Sequence, residues 1–153
     1  MANTYSQIYI QIVFAVEGRQ NLIPAEHREE LHKYITGIVE NRGQKMLAVY
    51  CRPDHGHVFV GMKPSISISD LTRDIKAGSS RFIDEKGWVK GRFQWQEGFG
   101  AFSYSRSQVE AVSKYVLNQE HHHKKKTFKR EYIGLLDRFE VEYEDRYLFD
   151  WID

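Results

Sequence analysis

Residues 7–16 read Gln-Ile-Tyr-Ile-Gln-Ile-Val-Phe-Ala-Val. Ile8, Ile10, Ile12 and Phe14 recur at every second position, the period of a β-strand, and β-branched residues fill the run. Outward from this strand, Pro24 opens a helical stretch with Glu26, Glu29 and Glu30 in its first turns, where acidic groups suit the helix dipole. Leu31, Tyr34, Ile35, Ile38 and Val39 then form an apolar stripe ending near Asn41-Arg42-Gly43. Two more strands, Lys45–Cys51 and His57–Met62, flank the turn-type sequence Arg52-Pro53-Asp54-His55-Gly56 and are predicted to pair as an antiparallel hairpin. Pro64 closes the third strand, and Ser69 is placed to cap a helix carrying Leu71, Ile75, Phe82 and Ile83. Phe93 to Tyr104, with Trp95, Phe99 and Phe102, reads as a fourth strand. Ser107-Gln108-Val109-Glu110 matches a capping box that launches a helix to about Gln119 or Glu120, and a last helix is expected near Lys129 to Phe139. The order predicts an α+β fold: a ferredoxin-like or RNA-recognition-motif-like βαββαβ antiparallel sheet with helices on one face, plus a C-terminal helix bearing Tyr115.

The chain is 153 residues long and 41% hydrophobic, enough for one core, and is expected to form a single domain over 1–153. Its 3 Pro and 11 Gly fall in no Ser/Gly/Pro-rich stretch, which argues against a flexible linker. No apolar run approaches the roughly 18–20 residues of a membrane span. The start, Met1 to Tyr5, has no basic segment followed by an apolar one, so a cytoplasmic location is expected. The single cysteine, Cys51, excludes an internal disulfide and a CxxC zinc site, and reads as a small buried hydrophobe. The net charge of +1 conceals an asymmetry: residues 131–153 sum to −6 and residues 1–130 to +7. A basic body with an acidic tail fits a polyanionic ligand, although mixed surface charge alone gives similar numbers.

The sharpest chemical signal is Asp54-His55-Gly56-His57-Val58-Phe59. Histidines two apart on a strand share a face, and two imidazoles on one face can hold a divalent metal with positions left open. A pair of structural histidines gives the same pattern. Phe59 and Val60 stand where an HxHxDH metallo-hydrolase needs Asp-His, and Phe59 stands where a histidine-triad hydrolase needs its next histidine. A second constellation is Tyr115 and Gln119, four apart on the capped helix and to one side of the stripe Val109, Val112 and Val116. A tyrosine at such an edge is commonly a core residue, whereas Gln119 offers a carbonyl oxygen to a metal site.

In combination, the first strand, the His55-Gly56-His57 pair and Lys114-Tyr115-Val116-Leu117-Asn118-Gln119-Glu120-His121-His122 resemble the single-tyrosine HUH transposases, known as TnpA, of insertion sequences that move as single-stranded DNA. The REP-associated tyrosine transposases share these motifs. The resemblance spans roughly residues 5–135, and Gly56 departs from the bulky apolar residue usual between the two histidines. It implies that His55, His57 and Gln119 hold Mg²⁺ or Mn²⁺ and that Tyr115 attacks a phosphate of single-stranded DNA with hairpin ends, leaving a 5′-phosphotyrosine and a free 3′-OH. It also implies a homodimer in which the tyrosine helix of one subunit completes the site of the other. Gly98 and Gly100 are candidates for the mobility this needs, or for a strand bulge.

Other residues carry weaker signals. His121-His122-His123-Lys124-Lys125-Lys126 reads as a metal-binding run or as a basic helix end facing phosphate, and the resemblance favours the second. Lys63, Arg73, Lys76, Arg81, Lys90 and Arg92 are candidates for DNA backbone contacts, and Trp88, Phe93 and Trp95 for base stacking or for the core. The alternative to a transposase is a non-catalytic RNA-recognition-type module, which presents aromatics on its sheet face where this chain has Ile8, Ile10 and Ile12. A domesticated transposase that retains cleavage gives the same sequence signals.

Overall fold

The computed structural model describes residues 3–152; Met1 and Ala2 of the start lie outside them, as does Asp153. Strand β1 is Ile8–Ala15, helix α1 Arg28–Asn41, β2 Lys45–Arg52, β3 His55–Met62, α2 Ile68–Lys86, β4 Gly100–Tyr104, α3 Val109–Leu117, α4 Gln119–His122 and α5 Phe128–Arg138. The four strands form one sheet in the order β2-β3-β1-β4, with every neighbouring pair antiparallel. This is the expected βαββαβ arrangement, with the interior strands β3 and β1 flanked by the hairpin partner β2 and by β4.

The alternation of β1 divides its residues between two faces. Ile10, Ile12 and Phe14 join Leu31, Ile35 and Val39 of α1 and Leu71, Ile75 and Ile83 of α2 in one core. The opposite face is covered as well: Val13 and Ala15 pack with Phe128, Tyr132, Leu135 and Leu136 of α5, and Ala48 and Phe59 pack with Val112 and Val116 of α3. The second face is where Gln11, His55 and His57 point, so the site sits between the sheet and the C-terminal helices.

Several local expectations move by a few residues. Ser67, not Ser69, caps α2 by accepting from the Asp70 amide, and the helix ends at Gly87 with φ 66°. The capping box ahead of α3 is Ser105 with Gln108, not Ser107 with Glu110. The fourth strand is shorter than Phe93 to Tyr104. Lys76 donates to the carbonyls of Gln96 (2.8 Å) and Gly98 (2.6 Å), holding residues 93–98 in an irregular path that sends Phe93 and Trp95 into the core. Those two rings and Lys76 are therefore occupied structurally. Trp88, the third stacking candidate, lies flat on His27 at 4.5 Å.

Gly56 explains its own departure from the usual pattern. A Cβ there would lie 3.3 Å from Cys51 Sγ and 3.5 Å from the Phe14 ring. The space of a bulky middle residue is already taken by the buried Cys51 and Phe14.

Candidate active site

His55 and His57 leave the same face of β3, and both side chains are fully buried. Each has its Nδ1 engaged inside the fold. His55 Nδ1 donates to Asp54 Oδ1 (2.7 Å), and His57 Nδ1 to Gln11 Oε1 (2.8 Å), whose Nε2 in turn donates to the Tyr104 hydroxyl (2.8 Å). Partners of this kind fix ring orientation and tautomer, leaving Nε2 to face a common point.

That point is filled by a residue that sequence reasoning does not single out. Glu131, on α5 and 2% exposed, places Oε1 3.5 Å from His55 Nε2, 3.2 Å from His57 Nε2 and 3.0 Å from His123 Nε2. Its other oxygen accepts from Gln119 Nε2 (3.1 Å) and from the Tyr115 hydroxyl. Gln119 Oε1 lies 3.1 Å from His123 Nε2 and 3.4 Å from His55 Nε2. All the residues expected at the site therefore meet there, Tyr115, His55, His57 and Gln119, and Glu131 and His123 join them. His123 belongs to the run that reads in sequence as a basic helix end; in the fold its imidazole turns inward, while His121 and the three lysines that follow stay exposed.

The signal available for Glu131 is positional. Phe128, Tyr132, Leu135 and Leu136 form the buried face of α5, and Glu131 lies on that same face. A carboxylate on the apolar stripe of an amphipathic helix is rare unless paired or ligating.

A divalent cation fits this donor set. Ligand atoms of His55, His57 and Glu131 lie within 4.8 Å of one another, all three residues are buried, and nitrogen with carboxylate oxygen suits a first-row ion. The electrostatics agree. Burial alone disfavours charge on Glu131, yet the imidazoles of His57, His123 and His55 that face it hold its carboxyl well below the usual range. Burial also works against a proton on His55, but the bonds to Asp54 and Glu131 outweigh it and raise its pKa. Burial keeps His57 below the ordinary histidine value. Tyr115 is pushed up by burial and further by the Glu131 carboxylate, so its phenol keeps its proton.

Short-range contacts hold the tyrosine against its own chain. Helix α3 ends at Leu117, and the chain bends through Asn118 into the single turn α4. Glu120 on that turn accepts from Arg52 (2.6 Å) and Tyr50 (3.1 Å) of β2 and pairs with Arg28 of α1 (3.1 Å). Within this one chain Tyr115 lies beside Glu131 and His57 of its own fold.

A family model described as Transposase IS200 like matches residues 4–119. Among solved structures, a candidate transposase of Deinococcus radiodurans is similar at 19% identity and a TM-score of 0.60, over 78% of this chain and 95% of that one. A REP-associated tyrosine transposase bound to a REP hairpin is similar at 16% identity and a TM-score of 0.59, over 100% of this chain and 93% of that one. No functionally curated protein matches the chain. The structural likenesses support the fold, and the family match covers both histidines, Tyr115 and Gln119 but stops short of Glu131. With that match over most of its length and a buried histidine pair on the matching sheet, the chain belongs to the IS200-like, single-tyrosine HUH transposases.

Proposed function

We propose that this chain cuts and rejoins single-stranded DNA at hairpin-bearing ends, with Tyr115 as nucleophile and His55, His57, Glu131 and Gln119 as the metal-binding set. The observation that carries the reading is the contact of the Tyr115 hydroxyl with Glu131, whose other oxygen faces the histidines. Mg²⁺ or Mn²⁺ held by these residues would supply positive charge to polarise a phosphate oxygen and to offset the Glu131 charge beside the phenol. The chain's own groups do the rest. Asp54 and Gln11 keep the two rings aimed, and Glu131 Oε2 is in place to accept the phenol proton. The bond formed is from the Tyr115 oxygen to phosphorus, and the bond broken is from phosphorus to the 3′-oxygen, which takes up the proton given up by the phenol and leaves as a 3′-OH. The resulting 5′-phosphotyrosine retains the phosphodiester's energy for rejoining, so no nucleotide cofactor is required. A second copy of the chain is an expected partner, and site closure within one chain lets a dimer act without exchanging helices.

Denaturing electrophoresis with labelled single-stranded hairpin substrate and Mn²⁺ or Mg²⁺ tests the reading. Wild type should give a slow-migrating covalent adduct and Tyr115→Phe none, with the variant's stability little changed because the ring is kept. An undiminished adduct from Tyr115→Phe would move the nucleophile elsewhere. No adduct from wild type on any hairpin would favour a binding module.

A further inference from the structure

Beside the cluster lies an open pocket of about 270 Å³ whose walls include Arg52, Asp54, His123, Lys124, Lys125 and Lys126. Two of these residues are in direct contact with the site: Asp54 holds His55, and His123 bonds Glu131. The other four are cationic. Lys124, Lys125 and Lys126 are exposed and have no carboxylate within salt-bridge distance among the described residues. Arg52 gives one terminal nitrogen to Glu120, while its Nε–H is buried with no acceptor among the described residues. The one acidic wall, Asp54, already spends an oxygen on His55.

Three unpaired lysines and a partly committed arginine, converging on one cavity that opens from a metal-binding cluster, repel cations and have no internal use for their own charge. We propose that this pocket seats a phosphodiester of the single-stranded flank, next to the one that Tyr115 attacks, and so sets which phosphate reaches the cluster. The inference rests on the strand-cutting reading and adds a subsite to it. A phosphate in the pocket would gain charge-assisted hydrogen bonds from the lysines, and its neighbour along the strand would lie toward His55 and Glu131. A contact to phosphate fixes the register of the strand and carries no sequence information of its own.

The test separates this subsite from catalysis by working in the Tyr115→Phe background, where binding is read without cleavage. Fluorescence anisotropy compares a hairpin carrying single-stranded flanks with the same hairpin lacking them, across a salt series. Replacing Lys124, Lys125 and Lys126 together by alanine should weaken the flanked hairpin about 10-fold near 0.1 M salt. It should also flatten the salt slope by about 0.7, the share of the one single-strand phosphate seated in the pocket. The unflanked hairpin should bind as before, and arginine at all three positions should restore the flanked one. The residues are exposed, so the melting temperature should not move. Equal weakening of both hairpins would reassign the lysines to general attraction, and no weakening of either would remove the subsite; both outcomes overturn the proposal. A wild type that formed no adduct would refute the nuclease reading and still leave this binding comparison readable.

Discussion

Replacing Glu131 by glutamine keeps the side chain's size and removes its charge, which isolates what a carboxylate does among three imidazoles. Without metal, Glu131→Gln leaves the raised-pKa His55 facing a neutral amide in a buried site, and the loss should be about 3 kcal/mol in urea unfolding. With metal, one charged ligand is gone, so the Mn²⁺ concentration for half-maximal cleavage should rise at least about 10-fold. A variant with unchanged metal dependence would take Glu131 out of the ligand set. His32 supplies an independent, pH-dependent contribution. Burial lowers its pKa from 6.5 to about 4, and its neutral Nε2 accepts the Cys51 amide at 2.9 Å. The folded value lies below the unfolded one, so its contribution is full above about pH 6.5 and drains away as pH falls toward 4. The gap between the two values sets the amount at stake, about 3 kcal/mol. Urea unfolding at pH 7 and pH 4.5 should show wild type losing more stability than His32→Gln, which cannot titrate. At this scale the sequence is most legible for residues defined by short spacing. His55 and His57, and Tyr115 and Gln119, are neighbours by strand or helix period alone. Glu131 is 74 residues from His57, and no local pattern ties them.

The elements differ in how far their sequence announces them. Strand β1 declares itself by alternation, yet Gln11 and Val13 on its other face are also buried, because α3 and α5 arrive from the far end of the chain to cover them. A sheet covered on both faces reads as near-continuous hydrophobicity, which hides which face carries chemistry. The segment before β4 misleads for a different reason. Its aromatics have strand composition, but Gly98 takes φ 83° and Lys76 binds the carbonyls that a strand would pair. Gly100 is no bulge, since it pairs in register with Val13, and a Cβ there would lie 2.6 Å from the Tyr132 hydroxyl and 2.8 Å from its ring. Tyr132 is wedged by Phe128 and Phe149, so it has little room to yield. Gly100→Ala should cost about 1–3 kcal/mol in unfolding experiments. Because Tyr132 adjoins Glu131 on α5, the same variant should need more Mn²⁺ for cleavage. A metal requirement unchanged from wild type would mean that α5 tolerates the substitution without moving Glu131.

At the scale of the whole molecule, the chain's end is built into the site's support. Phe149 and Trp151 pack on Phe128 and Tyr132, and Gln96 both donates to and accepts from the Asp150 backbone at 2.8 Å. Phe128 itself stacks on the His55 ring at 3.9 Å. The acidic C-terminal segment expected from composition is therefore divided: its first turns form α5 and supply Glu131, while Glu140, Glu142 and Glu144 stay exposed. The donors proposed for the ion are drawn from β3, α4 and α5 and meet only when the sheet and the C-terminal helices have docked. An unfolded chain cannot assemble them, so an ion that binds here is linked by mass action to the folding equilibrium itself. At 100 times its dissociation constant such an ion adds about 2.7 kcal/mol to the folded state. For a chain of this length that corresponds to a melting temperature about 5–10 °C higher. Calorimetric scans with increasing Mn²⁺ should show this climb for wild type and a flat response for the double substitution His55→Ala, His57→Ala. The ion then acts as a thermal stabiliser whose grip can be measured with no nucleic acid in the cell.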